Sequence, residues 1–185
     1  MPKFTIDGRE LEVEPGHTII EAATDVGIDI PHYCWHPHLS IAANCRMCLV
    51  EVEKAPKLLP ACEVRVRDGM VVHTDSPKVR ESRAAVMEFL LINHPIDCPI
   101  CDQAGECKLQ DYYMAHDKSG TRFGEVKVVK NKTVELGPLV MLDEERCINC
   151  TRCVRFMEEV AKNLQLGQFD RGDRAVIGTF TGQPL

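Results

Sequence analysis

Ten cysteines stand in a chain of 185 residues that has only one Trp and three Tyr. They fall into three groups, each built around a Cys-x-x-Cys pair: Cys34, Cys45, Cys48 and Cys62; Cys98, Cys101 and Cys107; and Cys147, Cys150 and Cys153. The start, MPKFTIDGRELEVE, is polar and charged, and no run approaches the roughly 18 apolar residues of a spanning helix. Neither a signal peptide nor a transmembrane helix is expected. The chain is therefore read as cytoplasmic or organellar, where lasting disulfides are uncommon. Thiols at this density then need another use, and metal ligation is the leading one. Net charge is −6, and neither half of the chain is basic. No nucleic-acid footprint is present.

The pattern along the chain predicts an α+β fold. KFTIDGRELEVE (3–14) alternates around Asp7-Gly8, a hairpin turn dipeptide. Thr18-Ile-Ile-Glu21 has the capping-box pattern and opens a short helix that Gly27 ends. Apolar runs at 48–53, 58–66 and 70–74 read as further strands. Ser76-Pro77 supplies an N-cap and a first-turn proline for a helix reaching about Asn93. A short helix follows over 106–116, then a polar connecting segment. An LVML strand, a short helix from the third cysteine group to about Lys162 and a hairpin around Arg171-Gly172 complete the pattern.

The first group, Cys34-x10-Cys45-x2-Cys48-x13-Cys62, resembles the plant-type [2Fe–2S] arrangement, with a longer first gap. It lies in loop-rich sequence, where free backbone N–H groups can point at sulfur. Zinc is the competing reading, but zinc sites usually carry two close pairs. The second group has only three thiols, whereas both zinc and a four-iron cube take four ligands. His94 precedes it in His94-x3-Cys98-x2-Cys101-x5-Cys107, and being pre-proline it should sit just past a helix end. The first and third groups use every other cysteine, so the fourth ligand is either His94 or nothing. The third group, Cys147-x2-Cys150-x2-Cys153, opens like a bacterial-ferredoxin [4Fe–4S] run. Met157-Glu158 occupies the place of the Cys-Pro that a two-cluster version requires. The Met157 thioether is a weak, neutral ligand and is expected to pack in the core. Arg46, Arg152 and Arg155 lie beside these cysteines, either offsetting cluster charge or as solvated surface residues. The other histidines show no regular metal spacing.

CRMCLVEVE (45–53), NHPIDCPICDQAGECKLQD (93–111) and RCINCTRCVRF (146–156), in this order, resemble the three cluster motifs of the large iron–sulfur subunit of NADH:quinone oxidoreductase, respiratory complex I. The resemblance spans nearly the whole chain. It implies a β-grasp [2Fe–2S] ferredoxin-like domain over 1–77, with Cys34, Cys45, Cys48 and Cys62 as ligands. A small helical [4Fe–4S] domain over 78–117 would use His94, Cys98, Cys101 and Cys107. After a connecting segment at 118–137, residues 138–185 would begin a bacterial-ferredoxin-like [4Fe–4S] domain of the Mo/W bis-MGD type, holding Cys147, Cys150 and Cys153. The family's fourth cysteine there lies further on than this sequence reaches, so the sequence looks like an N-terminal fragment with one or two [4Fe–4S] clusters. Ala43 stands where glycine is expected beside the first cluster, and a positive φ there would be strained.

No Gly-x-Gly-x-x-Gly, Walker or nucleophile–base pattern is present, so no substrate-transforming site is expected in this chain alone. The resemblance implies an electron relay within an oxidoreductase that translocates protons as a whole. FMN and NADH would be bound by a partner subunit, and quinone-module subunits would accept the electrons. The chain would sit in the peripheral arm on the cytoplasmic side of the inner membrane, reaching the membrane only through the complex. Relay subunits of NAD-linked hydrogenases or formate dehydrogenases are the alternative, iron-only hydrogenases fit less well because of Met157, and a zinc-stapled interaction module is the different-class reading.

Overall fold

The computed structural model describes residues 1–116, 120–180 and 184–185. Residues 117–119, at the start of the expected connecting segment, and 181–183 lie outside the described residues. Among the described residues no helix is long and apolar enough to cross a membrane.

The first unit is a five-stranded sheet with one helix. Strands β1 (Lys3–Ile6) and β2 (Arg9–Glu12) form the expected antiparallel hairpin. Its turn residues Asp7 and Gly8 both have positive φ, 48° and 80°, which matches the right-handed strand twist. Strands β3 (Leu49–Val52), β4 (Leu59–Pro60) and β5 (Met70–His73) complete the order β2-β1-β5-β3-β4. The β1–β5 pair is parallel, and the other pairs are antiparallel. Helix α1 (Ile19–Asp25) buries Ile19, Ile20, Ala22 and Ala23 against Phe4, Ile6, Val50 and Val72. This is the β-grasp arrangement. The run 58–66 does not stay extended as expected. Pro60 cannot extend a ladder on its N–H side, and after it the chain turns, leaving only a Thr18–Arg65 bridge.

Two helices follow. Helix α2 (Pro77–Leu91) starts at Ser76, whose hydroxyl accepts from the Val79 amide. It buries Val79, Arg83 and Met87, spaced four apart and so on one face. Helix α3 (Lys108–His116) starts two residues later than its pattern suggested, immediately after Cys107, and packs against α2. The last unit holds two hairpins, β6 (Val134–Gly137) with β7 (Val140–Leu142), and β8 (Leu166–Phe169) with β9 (Val176–Thr179). Between them lies α4 (Arg152–Glu159), which stops short of Lys162. The LVML run is thus one arm of a hairpin rather than a lone strand.

Three apolar cores result. The first lies between the sheet and α1, and the third is formed by Leu136, Leu166 and Ile177. The second, Tyr33, Met47, Met87, Leu109 and Tyr112, draws on the first unit, α2 and α3 together.

The capping box closing α1 is complete: Thr18 accepts from the Glu21 amide, and the Glu21 carboxylate accepts from the Thr18 amide at 2.8 Å. Because α1 carries much of the first core, Thr18→Ala should lower stability by about 1 kcal/mol and the unfolding midpoint by about 2–4 °C, as thermal denaturation followed by circular dichroism would measure.

Candidate metal centres

All four cysteines of the first group come together. Cys34, Cys48 and Cys62 are buried and Cys45 is half-buried. The Cys34 sulfur is hydrogen-bonded by the Cys45 and Cys62 side chains and also faces the backbone of Cys45 and Asn44. Cys48 is bonded by Cys62. These bonds hold the Cys34 thiol far below its ordinary range, while Cys45 and Cys62, which donate to it, are pushed up. The set sheds one proton readily and resists further ionisation through like-charge repulsion, until a metal cation supplies the balance. The contacts run Cys45–Cys34–Cys62–Cys48, a chain of neighbours that suits two bridged irons with two thiolates each. Among the described residues no three His, Cys, Asp or Glu side chains converge on one point that could hold a single metal ion. Zinc would require such convergence. A multi-iron cluster gives each iron only one or two protein ligands.

The loop carrying this group has unusual backbone. Ala43 has φ 48° and Arg46 φ 59°, so Ala43 is strained as the sequence suggested. Left-handed backbone costs a non-glycine residue about 1–2 kcal/mol. The Ala43 methyl recovers part of this by packing against the first core.

The second group lines a single cavity of about 560 Å³ that His94, Cys98, Cys101 and Cys107 share with Lys127 and Arg146. Cys98 opens a single 3-10 turn, and Cys107 immediately precedes α3, where the helix dipole favours a thiolate. His94 lies past the end of α2 as expected. Burial, reinforced by Lys127 and Arg146, lowers its pKa, so the ring is neutral and has a lone pair to donate. Its backbone is held from an unexpected quarter. The Lys127 ammonium donates to the carbonyls of Leu91, Ile92 and His94 at 2.6, 3.1 and 3.0 Å. It thereby caps the helix C-terminus, where a cation is favoured, and fixes the histidine's place. Nothing in the local sequence EVKVVK signals that role.

In the third group, Asn149 and Thr151, which alternate with the cysteines, have φ 52° and 60°. Cys147 lies against the third core and Cys150 against the second, while Cys153 is exposed. Burial raises the Cys147 thiol, with the neighbouring Cys153 and Cys150 adding to the effect. No cavity shared by all three appears among the described residues. Met157 packs with Val154 and Cys147 against the third core, as expected of it. Asp97, just before Cys98, and Arg146, just before Cys147, belong to one ion network with Lys132, Asp143 and Glu145. This network joins the second and third groups.

Of the three arginines singled out in the sequence, Arg46 is exposed. Arg152 and Arg155 are not solvated: both donate to carbonyls of the first group's loop. The sequence passed over Arg83, although its place in the α2 stripe between Val79 and Met87 was a signal. Only 4% of it is exposed. Nε and Nη2 of Arg83, and Nε of Arg152 and Arg155, are buried without a hydrogen-bond partner. Buried guanidinium groups beside clustered cysteines, with N–H donors unmet, fit an anionic group held by those cysteines.

Residues 2–77 match the family described as a 2Fe-2S iron-sulfur cluster binding domain. Residues 83–122 match the NADH-ubiquinone oxidoreductase-G iron-sulfur binding region, and 137–185 the ferredoxin-like domain of NADH-quinone oxidoreductase subunit 3. An NADH-quinone oxidoreductase subunit of Rickettsia bellii is 50% identical over all of this chain and 27% of its own length. The NADH-ubiquinone oxidoreductase 75 kDa subunit of Reclinomonas americana is 52% identical over 97% of this chain and 26% of its own length. This chain thus spans about a quarter of the curated relatives it matches. Among solved structures, a chain of an NAD+-reducing [NiFe]-hydrogenase superposes with a TM-score of 0.88 at 29% identity, covering 99% of this chain and 76% of that one. By three consecutive domain matches and half-identity along its whole length, the chain belongs to the family of the large iron–sulfur subunit of NADH:quinone oxidoreductase.

Proposed function

We propose that this chain is an electron relay of an NADH:quinone oxidoreductase. It would take electrons from a flavin- and NADH-binding partner and pass them towards quinone, in a complex that translocates protons as a whole. The observation that carries this reading is the second core: Cys45, Cys107 and Cys150, one from each group, all pack against it. Transfer by tunnelling weakens steeply with distance, so three ligand groups gathered on one core suit a relay. The clusters would supply reversible one-electron chemistry at iron. The chain's own residues would supply ligands, exclude water and fix spacing.

In this reading Cys34, Cys45, Cys48 and Cys62 hold a [2Fe–2S] cluster, and His94, Cys98, Cys101 and Cys107 hold a [4Fe–4S] cluster. Cys147, Cys150 and Cys153 supply three ligands of a further [4Fe–4S] site. The domains divide at 1–77, 78–117 and 138–185, joined by 118–137. The 560 Å³ cavity lined by all four residues of the second set supports that assignment. FMN and NADH would belong to the partner, and the chain to the peripheral arm of its complex. The likeness to the hydrogenase chain favours a second reading, a relay subunit feeding NAD from hydrogen. Identity of 50% against 29% weighs for the quinone-linked family.

Iron, zinc and acid-labile sulfide on anaerobically reconstituted protein, followed by EPR after reduction, test the relay. About six irons per chain would mean one two-iron and one four-iron centre, and about ten would mean that the third site fills as well. Zinc in place of iron would end the relay reading.

His94→Cys should retain a four-iron cluster with a lower midpoint potential, because a thiolate adds negative charge where imidazole is neutral. His94→Ala should leave one iron labile, read as conversion of the [4Fe–4S] EPR signal towards a three-iron signal on mild oxidation. Lys127→Met removes the three carbonyl contacts without touching a ligand. It should speed loss of the same cluster to a chelator by about tenfold or more, at unchanged [2Fe–2S] content.

A further inference from the structure

The loop from Cys34 to Asn44 forms no strand or helix, so its carbonyls have no ladder to satisfy them. Helix α4, more than a hundred residues further along the chain, supplies the partners. Arg152, Arg155 and Glu159 recur at the spacing that places side chains on one helix face. Arg152 Nη2 donates to the Trp35 carbonyl. The Glu159 carboxylate accepts from the Ser40 amide at 2.8 Å and from the Ser40 hydroxyl. Between them Arg155, 8% exposed, donates from Nη1 to the Ser40 carbonyl and from Nη2 to the Cys34 carbonyl at 2.6 Å. The same Nη2 reaches the Cys150 carbonyl at 3.4 Å. A smaller strut runs alongside, from Asn44 Nδ2 to the Asn149 carbonyl at 3.3 Å.

We propose that Arg155 is a positioning residue that holds the ligand loops of the first and third cysteine groups in one fixed relation. The inference rests on the reading that these groups hold clusters, and adds to it the element that sets their separation. The planar guanidinium suits the task, because its rigid fork of five N–H donors can serve several carbonyls at once. Its charge is always present and lies against the peptide of Cys34. It therefore raises the potential of whatever anionic cluster that residue ligates. Lysine would keep the charge but, as a compact ammonium, could not span all three carbonyls.

The test uses Arg155→Gln and Arg155→Lys in the chain assembled in its complex, with iron and sulfide measured first. Absence of iron and sulfide from the unsubstituted protein would be a failure of the cluster reading, separate from any role of Arg155. With clusters present, EPR-monitored titration should show the [2Fe–2S] midpoint shifted to a more negative value in Arg155→Gln and shifted less in Arg155→Lys. Hydrogen exchange at the Ser40 amide should accelerate by about tenfold or more in both variants, while amides of β1 and β5 keep their protection. A merely structural loss would raise exchange in the sheet as well and would leave the potential of any surviving cluster in place. Unchanged potential together with unchanged Ser40 exchange overturns the proposal. Should Arg155→Gln fail to accumulate, Arg155→Lys decides alone by the same two readings.

Discussion

Thiols brought within hydrogen-bonding distance of one another repel once ionised, and a site made of them cannot hold itself together. In the first loop only one sulfur, Cys34, is favoured as a thiolate, and the neighbours that stabilise it are themselves made harder to ionise. The rest of the structure is arranged around that instability. Backbone N–H groups are turned towards sulfur by left-handed residues, and carbonyls left over in the ligand loops are met by side chains from distant elements. Lys127 does this for the segment ending at His94, and Arg155 does it for Cys34. In both places a long cationic side chain stands in for the hydrogen-bond ladder that irregular backbone lacks. Cations are suited to this, since they also offset the charge that the sulfurs acquire.

Local sequence made the regular parts legible. The Asp7-Gly8 turn, the Thr18 capping box and the Ser76-Pro77 start of α2 all depend on contacts within four residues, and each forms as its residues predict. The cysteine groups were legible as groups because ligand spacing is itself a local property. The strand expected over 58–66 failed at Pro60, where the missing N–H ends the ladder.

What the sequence did not disclose is long-range. Lys127 sits in an ordinary Val- and Lys-rich run, and its three acceptors lie more than thirty residues earlier. Arg152 and Arg155 were noticed only for standing next to cysteines of their own group, yet both work chiefly on the loop of the first. Arg83 was visible as a charged residue in an apolar helical stripe. That its guanidinium is buried with donors unmet depends on how α2 lies against the sheet.

The second core has a bearing on how such a protein ages. Tyr33, Met47, Met87, Leu109 and Tyr112 are contributed by different parts of the chain, and a cysteine from each group leans on them. Two of the five are methionines, whose oxidation to the sulfoxide puts a polar group into apolar packing. An oxidative lesion at either would be felt under all three ligand groups at once. Protection from oxygen is therefore a property the three sites hold jointly, and they fail together.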